Sequence, residues 1–278
     1  MKKPKVCVLR AAGTNCDKET AFAFLKVGAS TELTHINSLI KKEAFLEEFH
    51  ILAIPGGFTY GDDAGAGKIL ANELKSKLIE DLKRFIAAGK LIIGICNGFQ
   101  VLVKSGLLPG NSGFIQDASL IINDSGKFED RWVFLKTPRQ SFASLRTPFG
   151  RQDAQTQVSC VWAKDLPEVI YLPVAHGEGK FVTGDKQILE RLKKKNQIVF
   201  QYCDEKANRK GYPYNPNGSL EDIAGICDET GRILGLMPHP ERHIDFYQHP
   251  GWTHIRGKSK GDGLQIFRNG VEYAKKQL

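Results

Sequence analysis

Three short apolar runs constrain this chain most: residues 6–9, 51–54 and 91–95, none interrupted by a charged or polar side chain. A strand that alternates apolar and polar residues buries one face, whereas one that is apolar throughout is buried on both. Helical patterns separate the runs. Asn15 or Asp17 can cap a helix that carries Phe22 and Leu25 on one face and is closed by Gly28. Residues 69–88 read as one helix, with Leu70, Leu74, Leu78, Leu82 and Phe85 recurring at three or four residues and Gly89 ending it. A strand over 31–36 and a short amphipathic piece around Phe45, Leu46 and Phe49 complete this half. Such alternation predicts an α/β fold, a mostly parallel sheet flanked by helices.

The second half is richer in strand signals and less regular. Residues 114–122, 131–135, 158–162, 169–174, 198–203, 223–227 and 233–237 are strand candidates, and 228–231 reads as a hairpin turn. A helix around 264–274 closes the chain. These strands predict an antiparallel extension of the sheet. The 278 residues fit one or two domains by length. We read 1–278 as a single domain with insertions near 124–157 and 204–221, because the motifs that carry chemistry are spread from Gly56 to Glu241 and must meet at one site.

Charge and cysteine usage exclude several classes. The net charge of +8 raises nucleic-acid binding as a role, but the excess is even between the halves and no basic tail exists. The densest cluster, Arg191, Lys193, Lys194 and Lys195, lies at the polar end of a helix and reads as a solvated face. Six cysteines form no CxxC pair and no zinc spacing. Nothing resembles a signal peptide, and no apolar run approaches a membrane span. A reduced cytoplasmic location is the expectation.

The sharpest local signal is Gly94-Ile95-Cys96-Asn97-Gly98, where an apolar strand runs into a helical stretch. This is the cysteine form of a nucleophile elbow. The turn strains the nucleophile's backbone and packs its neighbours tightly, so Gly94 and Gly98 leave room. Cys96 would lie at the carboxyl end of a strand, where open α/β sheets bind ligands. It would also lie at a helix N-terminus, whose dipole stabilises a thiolate. The backbone amide of Asn97 is then placed to donate to an oxyanion.

A nucleophilic cysteine needs a base, and the base an orienting group. His239 follows the apolar run 233–237, has Pro238 and Pro240 on either side, and precedes Glu241 by two residues. The order Cys96, His239, Glu241 reads as a triad. A third segment, Pro55-Gly56-Gly57-Phe58-Thr59-Tyr60-Gly61-Asp62-Asp63, also leaves a buried strand. Its Gly57 amide is a second oxyanion donor. Ile69 follows Lys68, so no phosphate-binding P-loop is present there.

Together the elbow with Gln100, the turn Pro238-His239-Pro240-Glu241-Arg242 and the glycine segment resemble a class I, triad-type glutamine amidotransferase. The segments 56–62, 173–181 and 215–219 resemble the branch that serves purine biosynthesis, and the likeness runs from about residue 5 to 275. The resemblance implies a flavodoxin-like fold and hydrolysis of L-glutamine to glutamate and ammonia. Cys96 would attack the side-chain amide, His239 would move the proton, Glu241 would orient the ring, and the Gly57 and Asn97 amides would hold the oxyanion. Gln100, with Gly57, would help to define the glutamine pocket. Phe58, Tyr60 and His176 would line the site. His176 and Glu178 form a His-x-Glu pair, but too few ligands accompany it for a metal, and no metal is expected.

Ammonia released alone would be wasted, and no ATP-binding signature is found. A separate synthetase subunit is therefore the expected partner, with ATP and Mg²⁺ bound there and no cofactor in this chain. Whether a small third subunit bridges the pair is left open. Neither nucleic acid nor membrane is an expected partner. A stand-alone cysteine hydrolase on the same fold, another class I amidotransferase subunit and a non-catalytic relative remain as alternatives at this point.

Overall fold

A computed structural model describes residues 3–110, 113–137, 160–254 and 259–278. The first half alternates as the apolar runs require: β1 (Lys5–Arg10), α1 (Asp17–Lys26), β2 (Ser30–His35), α2 (Ile36–Ile40), β3 (Ile51–Ile54), α3 (Lys68–Lys77), α4 (Ile79–Ala87), β4 (Leu91–Ile95) and α5 (Asn97–Lys104). The second half follows with β5 (Ala118–Ile121), β6 (Glu129–Lys136), β7 (Val169–His176), β8 (Lys180–Thr183), α6 (Lys186–Lys194), β9 (Ile198–Cys203), β10 (Ile223–Cys227), β11 (Ile233–Leu236) and α7 (Leu264–Gln277).

Among the described residues, one sheet has the order β2-β1-β3-β4-β11-β10-β9-β6-β7, and β5 pairs with β8 apart from it. Neighbours from β2 to β11 are parallel, and those from β11 to β7 are antiparallel. This is the expected α/β architecture with its antiparallel extension. Every residue of β3, β4 and β11 is buried, because helices cover both faces of a parallel sheet. The carboxyl ends of β1, β3, β4 and β11 open on one edge, where such sheets gather their ligands.

Several details differ from the sequence reading. The helix expected over 69–88 is two helices, α3 and α4, broken at Leu78 (φ −125°, ψ 7°). Leu70, Leu74, Leu78, Leu82 and Phe85 are all buried, so the apolar stripe continues across the break and periodicity cannot reveal it. Neither Asn15 nor Asp17 caps α1, which begins after Cys16 with no side-chain cap. Phe22 and Leu25 are 54% and 51% exposed. The helix instead turns Thr20, Ala21 and Ala23 inward around Phe24, whose ring meets Phe267 edge-on at 5.0 Å. Small residues let the helix lie close to its neighbours, and one phenylalanine fills the remaining gap.

Of the strand expected over 158–162, residues 158–159 lie outside the described residues, and Val161–Ala163 is a 3-10 turn. It seats Trp162 in the core, with its indole N–H donating to Arg232 O (3.0 Å). The strand β8 was not expected. The stretch 124–157, read as holding an insertion, includes β6 between β9 and β7; residues 138–159 lie outside the described residues. The stretch 204–221 connects β9 to β10 and brings Asn215, Asn217 and Ser219 into the interior.

Helix α5 lies very close to β3. A β-carbon on Gly98 would lie 1.9 Å from Ile54 O, so Gly98→Ala must move the helix off the sheet. We expect a loss of at least about 3 kcal/mol, in the range of severe overpacking, measured by denaturant unfolding. Gly177→Ala, whose β-carbon would make only an ordinary contact at 3.8 Å with Phe128, should stay within about 0.5 kcal/mol.

Candidate active site

The chain leaves β4 into Cys96 at φ 52°, ψ −107°, a conformation few non-glycine residues adopt. Three backbone bonds hold it there: Cys96 N–H donates to Leu236 O (2.8 Å), and Cys96 O accepts from Phe99 N–H (3.0 Å) and Gln100 N–H (3.1 Å). The glycines serve the steric purpose the sequence implied. A β-carbon on Gly94 would sit 2.5 Å from Gly98 O.

His239 stands at the end of β11, and its backbone N–H donates to Pro173 O of β7 (2.8 Å). Its Nδ1 is 2.6 Å from Glu241 Oε1, and both side chains are buried. Burial opposes the charged ring, but the Glu241 carboxylate and the Cys96 sulfur beside it prevail and hold the imidazole pKa well above its ordinary value. Its Nε2 is buried and has no hydrogen-bond partner among the described residues. Gly56 lies between His239 and Cys96: a β-carbon there would be 2.8 Å from His239 Cε1 and 3.4 Å from Cys96 Cβ. The structure thus brings Cys96, His239 and Glu241 together, with the acid behind the ring.

Gly57 lies just beyond β3 at φ 141°, where a side chain would strike Gly13 O and Asn15 N at 2.8 Å. Asn97 is the first residue of α5. No hydrogen bond among the described residues occupies either backbone amide. Gln100 is buried, and both ends of its side-chain amide are engaged: Nε2 donates to Glu178 O (2.6 Å) and Oε1 accepts from Asn97 Nδ2 (2.9 Å). Phe58 is half exposed and stacks on Phe128 at 6.3 Å. Tyr60 points its hydroxyl to Glu73; burial and that carboxylate raise its pKa.

His176 ends β7 and is buried. Its Nδ1 lies 3.2 Å from Asn123 Oδ1 and its Nε2 3.4 Å from Asn217 Nδ2. Asn123 Oδ1 already accepts from Gly179 N–H, and Asn217 Nδ2 donates to Tyr202 Oη. The network therefore fixes one neutral tautomer, with the proton on Nδ1. Burial, then the nearby His239, push its pKa down to about 4. Both ring nitrogens being engaged, His176 is not free to pair with Glu178 on a metal.

Residues the sequence reading missed complete the pocket. Cys16 Sγ, a ring nitrogen of His239 and a carboxylate oxygen of Glu241 lie within 4.8 Å of one another. The Cys16 thiol donates to Asn15 Oδ1 (3.1 Å) and accepts from Arg242 Nη2 (3.1 Å). Burial raises its pKa, opposed by His239. Sulfur, imidazole and carboxylate are donors a soft metal accepts, but here Nδ1 is bound to Glu241 and a guanidinium touches the sulfur. Position after β1 was the available signal for Cys16, since β1 neighbours β3 in a parallel sheet.

Residues 3–274 match the family described as CobB/CobQ-like glutamine amidotransferase domain. A protein of Dehalococcoides mccartyi named phosphoribosylformylglycinamidine synthase subunit PurQ is 48% identical over 276 residues, covering 99% of each chain. Its namesake in Methanococcus maripaludis is 43% identical over 287 residues, covering 98% of each. A chain in the structure of PurLQS from Thermotoga maritima superposes with a TM-score of 0.67 at 29% identity, covering 98% of this chain and 99% of that one.

The neutral His176 makes an acid-stability prediction. Its folded pKa of about 4 is below the unfolded value of 6.5, so the unfolded chain takes up the proton first, and stability falls as pH drops from about 6.5 to 4. His239 acts oppositely: its contribution is complete below the unfolded pKa and is lost only as pH rises through its raised folded pKa. We expect His176→Gln to remove up to about 3 kcal/mol of the acid-side dependence, read from unfolding free energies at several pH values. An unchanged slope would rule this account out.

Proposed function

The chain belongs to the CobB/CobQ-like glutamine amidotransferase family, and from that membership we propose that it is the glutaminase subunit of a phosphoribosylformylglycinamidine synthase in purine biosynthesis. The observation that carries this is end-to-end likeness, 48% identity over 99% of both chains, in a chain whose Cys96, His239 and Glu241 converge. It hydrolyses L-glutamine and passes ammonia to a synthetase subunit, which uses ATP and Mg²⁺ to turn formylglycinamide ribonucleotide into formylglycinamidine ribonucleotide. The structure of PurLQS joins three named components, and a small third subunit belongs to this reading as well. The chain itself needs no cofactor, and residues 1–278 act as one amidotransferase domain.

The chemistry runs through this chain's own residues. Cys96 Sγ bonds to the glutamine side-chain carbonyl carbon, and its proton passes to His239 Nε2, the unpartnered nitrogen. The raised pKa of His239 suits a base that must keep that proton until the C–N bond breaks. Collapse of the tetrahedral species expels ammonia, to which His239 returns the proton. Water then attacks the glutamyl thioester, His239 takes one of its protons, and glutamate leaves as the thiol is restored. Glu241 fixes the ring orientation and stabilises its charge. The Gly57 and Asn97 amides hold the oxyanion, where losing one such donor typically costs about 10²–10³-fold in rate. Gln100 shapes the glutamine pocket by holding the backbone of Glu178. His176, Phe58 and Tyr60 line the surroundings.

Among the described residues no helix is long and apolar enough to cross a membrane, and all six cysteines are free. A reduced, cytoplasmic setting fits both.

Two assays on the chain assembled with its synthetase test this reading. Cys96→Ser should abolish glutamine-dependent amination and leave amination by added ammonium salt intact. Glu241→Gln should lower glutamine-dependent kcat by about 10²-fold or more. Full glutamine-dependent activity in Cys96→Ser would exclude Cys96 as the nucleophile.

A further inference from the structure

The two backbone amides assigned to the oxyanion hole lie on different elements, Gly57 on the loop after β3 and Asn97 on α5. Their separation must be held within a few tenths of an ångström for both to reach one oxygen. We propose that the Asn97 side chain, with Thr59 and Asp62, sets that separation. Asn97 thus supplies one donor with its backbone and positions the other with its side chain, while Thr59 and Asp62 are positioning residues.

The geometry is direct. Asn97 Oδ1 accepts from Thr59 Oγ1 (2.6 Å) and from Thr59 N–H (3.3 Å). Thr59 is two residues beyond Gly57. Asn97 Nδ2 donates to Asp62 Oδ1 (3.1 Å) and to Gln100 Oε1 (2.9 Å). Asp62 Oδ1 in turn accepts from Gly67 N–H (3.2 Å), gathering the far end of the same loop. Asn97 and Thr59 are buried, so water does not compete for these bonds.

The opposite side of the loop is tied to the segment after β1. Phe58 N–H donates to Gly13 O (3.0 Å), Tyr60 N–H to Ala12 O (2.7 Å), and Gly56 O accepts from Cys16 N–H (3.2 Å). None of these bonds reaches α5. Loop backbone at Tyr60, Gly61, Asp62, Gly65 and Gly67 has positive φ, a form that relaxes unless its surroundings hold it. The Asn97 side chain is therefore the hydrogen-bonded tie between the residues just after Gly57 and the nucleophile helix.

This inference rests on the glutaminase reading, and its test separates the two. Oxyanion stabilisation matters for acyl transfer from glutamine but not for alkylation of Cys96 by iodoacetamide, which forms no oxyanion. With the complex of this chain and its synthetase, Thr59→Val should lower glutamine-dependent kcat by about tenfold or more, a fraction of the loss typical for a whole donor. KM for glutamine should change less than about twofold, since the contact acts in the transition state. The alkylation rate of Cys96 should match wild type. Thr59→Ser, which keeps the hydroxyl, should restore kcat. Wild-type kcat in Thr59→Val, or alkylation falling in parallel with kcat, would overturn the proposal. Asp62→Ala, which removes the acceptor for Asn97 Nδ2 and Gly67 N–H, gives a second reading on the same tie: kcat should fall with unchanged alkylation, and an unchanged kcat counts against it. A wild-type complex without glutamine hydrolysis would overturn the function itself, and this inference with it.

Discussion

The structure depends on how closely α5 lies against β3. Gly98 has no side chain, and Ile54 O occupies the place where one would be. That approach brings the start of α5 beside the loop leaving β3. It also forces the chain between β4 and α5 into a turn too sharp for ordinary backbone, and Cys96 absorbs the strain at φ 52°. Strain of this kind, of order 1–3 kcal/mol, persists only where surrounding structure fixes it. Here the fixing bonds come from Leu236, Phe99 and Gln100. The result is a buried sulfur at the carboxyl end of β4, beside a helix whose first amide has no partner among the described residues. Chemistry and packing are one constraint at this point, which explains why the pattern of glycines around the cysteine is so informative.

Electrostatics then separates two buried histidines that share the pocket. His239 faces Glu241 and the Cys96 sulfur, so its charged form is favoured despite burial. His176 is bonded to two neutral amides, and the charge on His239 adds to the penalty of burial. One ring carries protons and the other presents a fixed donor and acceptor. Two titratable groups pushed apart by their environments are what an acid–base site requires. The Asn123, Asn217 and Ser219 shell achieves this for His176 without a charge, and it comes from segments far apart in sequence.

Much of this was legible in the sequence, and the failures have physical causes. The buried strands β1, β3 and β4 announced themselves because strands covered on both faces tolerate no polar residue. The elbow and the His-Pro-Glu turn were legible because their chemistry demands particular residues at fixed spacing. The break at Leu78 was not, since both helices bury the same stripe. Phe22 and Leu25 misled because size and apolarity suggest burial, while packing selected the small residues around Phe24. Cys16 was hidden for another reason. It comes to the site through the parallel pairing of β1 with β3, so its place after β1 is a signal only once that long-range pairing is known. The side-chain role of Asn97 was likewise invisible, because its partners Thr59 and Asp62 lie nearly forty residues away.

The antiparallel extension is more than an edge added to the parallel half. Four strand spacings separate β11 from β7 in the sheet order, about 19 Å if the sheet were flat. Yet His239, at the end of β11, donates its backbone N–H to Pro173 O of β7 at 2.8 Å, and Ala175 O of the same strand lies 3.6 Å from Cys96 Sγ. Both contacts require the sheet to curl until its far edge closes over the carboxyl ends of β4 and β11. Twist of a sheet has a fixed hand and accumulates strand by strand, so antiparallel strands beyond β11 are a natural way to build that wall. They also deliver His176 at the end of β7. The parallel half supplies Cys96 and the Gly57 and Asn97 amides, and the curled antiparallel half anchors His239 through Pro173 O and meets the Cys96 sulfur at Ala175 O.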